Sequence, residues 1–212
     1  MNPEALAELA AVRILPVVTI DDAADAPALV AALVGAGLAT VEITLRTDAA
    51  LDAIRRVAAE VPEAIVGAGT VTSAARATAA IDAGARFVVS PGFGADVIDV
   101  AGERGVPAIP GVATATELQE AVQLECSIVK LFPAEVIGGP HLIEALSAVW
   151  GEVRFIPTGG ITASNAGNYL ALPQVMAVGG SWMVPRAAIA GRDWSTVTHA
   201  AYAAAHLGRA SS

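Results

Sequence analysis

Short runs rich in β-branched residues alternate along the chain with Ala-rich stretches, which predicts strands and helices in regular succession. Eight such runs are present: 14–20, 40–46, 65–70, 87–91, 108–112, 127–132, 154–158 and 175–179. Helix start and stop signals lie between them. Asp21 and Asp22 open a segment through Val34, closed by Gly35 and Gly37. Thr47-Asp48 is expected to cap a helix to Glu60, Thr72-Ser73 the next up to Gly84, and Ser164-Asn165 another after the seventh run. Thr114 and Glu117 have the capping-box spacing. Residues Asn2 to Val12 read as a short extra helix covering one end of the strands, and the tail from Arg209 to Ser212 as frayed.

Runs recur mostly every 20 to 25 residues or so, the spacing of strand–helix units. Eight units in 212 residues predict a single (β/α)8 barrel domain, residues 1–212, at the compact end of its size range. The alternative is a doubly wound open sheet. That fold is favoured by a GxGxxG turn after its first strand, whereas the segment Thr19-Ile-Asp-Asp-Ala23 holds no glycine.

Strand alternation then assigns faces. Val41, Ile43 and Leu45 suit a helix-covered side, which turns Thr40, Glu42, Thr44 and Arg46 into the barrel, Arg46 at its C-terminal mouth. Ile128, Lys130 and Phe132 share a face opposite Val129 and Leu131. An unpaired lysine beneath a helix is costly, so Lys130 is expected inside, facing the same interior as Glu42.

The basic residues sharpen the picture. Eleven are Arg and only one, Lys130, is Lys. An amine, unlike a guanidinium, can shed its proton and attack a carbonyl. Lys130 fits either a structural ion pair with Glu42 or a Schiff-base nucleophile, and Glu42 either that partner or a general acid/base. Arg46, at a strand end, suits bidentate binding of a substrate carboxylate. Thr70 either caps the next helix or donates to the same carboxylate.

Two glycine clusters end the last two strands: Thr158-Gly159-Gly160 and Gly179-Gly180-Ser181. Barrels bind phosphate with the loops after strands seven and eight, so these residues are expected to hold one. A net charge of −9 disfavours nucleic acid or an anionic membrane as partner. One cysteine, Cys126, excludes a disulfide framework. His141, His199 and His206 form no ligand set with Asp or Glu at a strand end, and no GxSxG elbow is present. Met1 to Val12 carries Glu4 and Glu8 without a basic n-region, so it does not read as a signal peptide, and no apolar stretch has the length of a bilayer span. The chain reads as soluble and cytoplasmic.

Several segments together resemble the bacterial 2-keto-3-deoxy-6-phosphogluconate (KDPG) aldolases, which also act as 4-hydroxy-2-oxoglutarate aldolases. They are Val41-Glu-Ile-Thr-Leu-Arg-Thr47, Gly67-Ala-Gly-Thr-Val71, Ser90-Pro-Gly-Phe93, Pro110-Gly-Val112, Val129-Lys-Leu-Phe-Pro-Ala134, Pro157-Thr-Gly-Gly-Ile161 and Gly179-Gly-Ser-Trp182. They occur in family order from about Ile14 to Pro185; Leu131 stands where relatives often carry an aromatic. The resemblance implies a class I aldolase on a (β/α)8 barrel, a homotrimer, without metal or other cofactor, serving carbohydrate metabolism of the Entner–Doudoroff type. It implies Schiff-base chemistry at Lys130 and acid/base chemistry at Glu42. The pyruvyl carboxylate is expected near Arg46 and Thr70, with Pro91, Phe132 and Thr158 completing the substrate contacts. Phosphate contacts fall to Gly159, Gly160, Gly179, Gly180 and Ser181. Two alternatives stay open: an aldolase for the galactonate epimer, against which the Pro157-Thr-Gly-Gly turn speaks, and a non-catalytic phosphosugar-binding barrel.

Overall fold

Each β-branched run becomes a parallel strand, and each Ala-rich stretch a helix that returns the chain to the same end. The computed structural model describes residues 3–210. Its strands are β1 (Ile14–Val18), β2 (Thr40–Thr44), β3 (Ile65–Gly69), β4 (Val88–Val89), β5 (Ala108–Ile109), β6 (Gly111–Val112), β7 (Ile128–Leu131), β8 (Arg154–Phe155) and β9 (Val178–Gly180). The helices are α1 (Pro3–Val12), α2 (Ala26–Gly35), α3 (Ala50–Glu60), α4 (Ala74–Asp82), α5 (Ala95–Glu103), α6 (Ala115–Gln123), α7 (Gly139–Ser147), α8 (Ala166–Leu170), α9 (Arg186–Ala190) and α10 (Trp194–Ala210). Among them no helix is long and apolar enough to cross a membrane.

The result is an α/β fold on parallel strands. Six pair in the order β5-β4-β3-β2-β1-β9 and three in the order β6-β7-β8, so the ladders form two pieces rather than one eight-stranded sheet. Pro110 explains one break: without an N–H it divides the fifth run into β5 and β6, while its carbonyl still accepts from Lys130 N at 2.9 Å. Single parallel bridges, Phe155 to Val175 and Thr158 to Gly179, run between the end of β8 and the β9 segment.

Two apolar clusters follow from the alternation of faces. Val41, Ile43, Leu45, Val129 and Leu131 bury against helix residues such as Leu29, Val57, Leu118 and Ile143. Leu15, Ile65, Phe87, Val89, Ile109, Ile156 and Ala177 form a separate cluster on the other face, which Leu9 of α1 joins at 1% exposure. The extra helix is therefore a plug, and burial of each such side chain contributes roughly 1.5–3 kcal/mol. Asn2 lies outside the described residues.

Local capping departs from expectation in places. Thr114 and Glu117 form the capping box, and Ser73 caps α4. Thr47 and Asp48 do not cap α3, whose N-cap is Ala49; the Thr47 hydroxyl donates instead to the Ile20 carbonyl after β1. Asn165 is the N-cap of α8, yet its side-chain oxygen accepts from Thr162 N at 2.8 Å, outside the helix. The tail is helical further than expected: α10 includes Arg209 and Ala210. It can lie this close because Gly208 has no Cβ, which would sit 2.9 Å from Ile14 Cγ1.

Candidate active site

The six buried polar or charged side chains among the described residues are Thr40, Glu42, Thr44, Ser90, Lys130 and Thr158. All lie in strands or within three residues after one. Polar groups avoid dry interiors unless paired, so such a set on strand ends marks where the fold departs from pure packing.

Its centre is one ion pair. Lys130 Nζ on β7 donates to Glu42 Oε1 on β2 at 3.1 Å, with the side chains 7% and 1% exposed. Glu42 Oε2 is buried and receives no hydrogen bond from the described residues. Lys130 Nζ also stands 5.5 Å from the Phe132 ring centre, within cation–π range. The carboxylate has room because Gly69 on β3 lacks a side chain; a Cβ there would come 2.6 Å from Glu42 Cδ. Backbone register supports this layout, since Glu42 pairs with Val17 of β1 and Gly67 of β3.

A cavity of about 270 Å³ opens at the strand ends. Arg46, Phe132, Thr158, Gly159, Gly160, Gly179, Gly180 and Ser181 all line it, so eight residues singled out from the sequence share one space. Lys130 and Glu42 are enclosed rather than lining; Phe132, two residues beyond Lys130, lines the cavity and lies against the Lys130 ammonium. Arg46 is exposed, and no carboxylate pairs with it among the described residues. Thr158 is buried beside Gly179, whose missing Cβ leaves space for the Thr158 hydroxyl.

Two expected contacts are not among the residues lining this cavity. Thr70 is half-buried at the end of β3 with a left-handed φ of 59°, and Ser73 rather than Thr70 caps α4. A non-glycine residue in that conformation is strained, which ties Thr70 to its surroundings. Pro91 lines a second cavity of about 210 Å³ with Val71, Ser90 and Phe93.

Several supporting contacts, including those of Thr44 and Asn165, are not legible in the sequence. Thr44 Oγ1 donates to the Val18 carbonyl at 3.0 Å, so it accepts from Thr19 Oγ1, also at 3.0 Å, and ties β2 to β1. The Arg76 guanidinium donates to the Leu45 carbonyl, one residue before Arg46. Behind the Gly159-Gly160 turn, where φ is 100° and 79°, Glu135 N donates to the Gly159 carbonyl at 3.1 Å and Asn165 Nδ2 to the Gly160 carbonyl at 3.1 Å. Tyr169 donates to Glu135 Oε2 at 2.5 Å. Burial, and then that carboxylate, push the Tyr169 phenol well above its ordinary range, so it stays a donor. No local motif marks these residues; their partners are distant in sequence.

The chain belongs to the KDPG and KHG aldolase family, whose model matches residues 6–200. A protein of Treponema pallidum named 2-dehydro-3-deoxy-phosphogluconate aldolase is 46% identical over 187 residues, covering 88% of this chain and 89% of its own. The crystal structure of the 2-keto-3-deoxy-6-phosphogluconate aldolase of Zymomonas mobilis with 3-phosphoglycerate superposes with a TM-score of 0.91 at 40% identity, covering 100% of this chain and 99% of that one. A KDPG aldolase from Legionella pneumophila, with pyruvate captured as a covalent carbinolamine, superposes with a TM-score of 0.90 at 39% identity, over 94% and 97% of the two chains.

Proposed function

We propose that the chain is a class I aldolase that reversibly cleaves 2-dehydro-3-deoxy-6-phosphogluconate to pyruvate and glyceraldehyde 3-phosphate, and 4-hydroxy-2-oxoglutarate to pyruvate and glyoxylate. The observation that carries the reading is the buried 3.1 Å contact between Lys130 Nζ and Glu42 Oε1 beside a cavity rich in anion donors. Lys130 transfers a proton to Glu42, and the free amine attacks the C2 ketone. Glu42 returns the proton as the carbinolamine loses water, leaving an iminium. The iminium draws electrons from the C3–C4 bond while Glu42, through a water, takes the C4 hydroxyl proton. The aldehyde leaves, the enamine is protonated at C3, and hydrolysis releases pyruvate and the amine.

Arg46, with Thr70, takes the substrate carboxylate. Phe132, Pro91 and Thr158 border the chain of the substrate. Gly159, Gly160, Gly179, Gly180 and Ser181 take the phosphate, where glycine lets backbone N–H groups approach. Closure of the strands into one (β/α)8 barrel domain is part of the same reading. It is supported by the Thr158–Gly179 bridge on one side and by Gly111 N donating to the Gly92 carbonyl at 3.3 Å on the other. The reading also includes a homotrimer, for which exposed Val136 and Val149 supply apolar surface, and a cytoplasmic location, where a lone thiol such as Cys126 stays reduced.

The test is reductive trapping. Pyruvate with borohydride is expected to add one reduced pyruvyl group, mapped to the Lys130 peptide by mass. No adduct in the native protein, or an adduct that persists in Lys130→Arg, overturns the mechanism.

A further inference from the structure

The glycine turns and Ser181 offer a phosphate only neutral donors. The cavity nevertheless holds a second cation besides Arg46, namely Arg186, the first residue of α9. Arg186 lies five residues past Ser181, on the segment that follows β9, and lines the same space as Gly159, Gly160 and Gly180. Among the described residues no Asp or Glu lines that cavity, and the guanidinium is held only by Asp21, at 3.4 Å, with both side chains 73% exposed. An ion pair so open to water is weak, so leaving it costs little. A phosphate is a stronger attractor than one carboxylate, because it carries more charge and matches the planar guanidinium fork.

We propose that Arg186 is a specificity-determining residue that leaves Asp21 to grip the terminal phosphate of the substrate, and so favours phosphorylated over unphosphorylated 4-hydroxy-2-oxo acids. This rests on the aldolase reading above. Arg186 acts in binding, at the substrate end opposite the reacting ketone, so its effect falls on KM for the phosphorylated substrate. Asp21 is the opposing element: it holds the guanidinium in the free protein and competes with the phosphate.

The test compares kcat/KM for 2-dehydro-3-deoxy-6-phosphogluconate with kcat/KM for 4-hydroxy-2-oxoglutarate. In Arg186→Gln the ratio is expected to fall roughly ten- to a hundredfold, the size of one charge-assisted hydrogen bond, mainly through KM. Arg186→Lys is expected to recover part of it, and Asp21→Asn to raise the ratio. Inhibition of the native protein by inorganic phosphate is expected to weaken in Arg186→Gln. A ratio that stays within twofold of the native value, or a loss shared equally by both substrates, overturns the role of Arg186 and leaves the aldolase reading standing. A native protein that cleaves neither substrate overturns the aldolase reading, and this inference with it.

Discussion

Replacing Lys130 by Met is expected to cost stability as well as activity, and the structure gives the amount. The Met side chain approximates the volume of the lysine stem but removes the only side-chain hydrogen-bond donor to Glu42 among the described residues, a carboxylate whose side chain is 1% exposed. Removing one partner of a buried pair costs about 3–5 kcal/mol, because the other charge is left dry and alone. For a chain of this length each kcal/mol lowers Tm by about 2–4 °C, so the midpoint should fall by about 6–20 °C. Glu42→Leu alone is expected to destabilise too, by stranding the ammonium. The double variant Lys130→Met/Glu42→Leu should recover to within about 1 kcal/mol of the native chain, since replacing a whole buried pair by apolar groups of similar volume is often harmless. Thermal melts and urea titrations of the four proteins close the cycle. A single Lys130→Met variant that melts at the native temperature would refute the reasoning, because it would mean that Glu42 is not cut off from water.

Three further outcomes follow from the geometry. Gly69→Ala places a methyl 2.6 Å from Glu42 Cδ, so the carboxylate must move off Lys130; kcat is expected to drop about a hundredfold, the scale of a 1 Å misplacement, and a kcat within threefold of native would count against this placement. Thr114→Ala removes the hydroxyl that accepts from Glu117 N, and should cost about 1 kcal/mol in a urea titration with activity intact; an unchanged midpoint would show the cap to be idle. Burial pushes the Cys126 thiol up, so less of it is thiolate at any given pH than in a free cysteine; its reaction with a disulfide reagent at pH 8 should be slower than that of the urea-unfolded chain and should keep rising at higher pH, whereas equal rates would remove the burial argument.

How much was legible in the sequence differs by element. The strand runs were, because each is a short block of mostly β-branched or apolar residues set between helix signals; alternation turned Glu42 inward, and the cost of an unpaired lysine beneath a helix put Lys130 on the same side. Strand lengths were not. Only Val88–Val89 and Arg154–Phe155 keep ladder pairing in their runs, and the fifth is cut at Pro110. Pairing depends on neighbours, and short runs do not announce it. Helix starts misled where a side chain had a better partner elsewhere: Thr47 spends its hydroxyl on the Ile20 carbonyl, a residue in another unit. The glycine turns were legible as turns, but not the Glu135, Asn165 and Tyr169 contacts behind them. Arg186 was equally silent, because a lone arginine after a proline resembles any surface charge until the cavity is seen.

Glu42 Oε2 carries a consequence of its own. A buried carboxylate oxygen that no protein donor meets can accept from a substrate hydroxyl or a guest water. Occupancy should therefore steady the whole chain through mass action, beyond the contacts made at the rim. Heat tolerance would then track the supply of 2-oxo acid, so that an idle enzyme ages faster than a busy one.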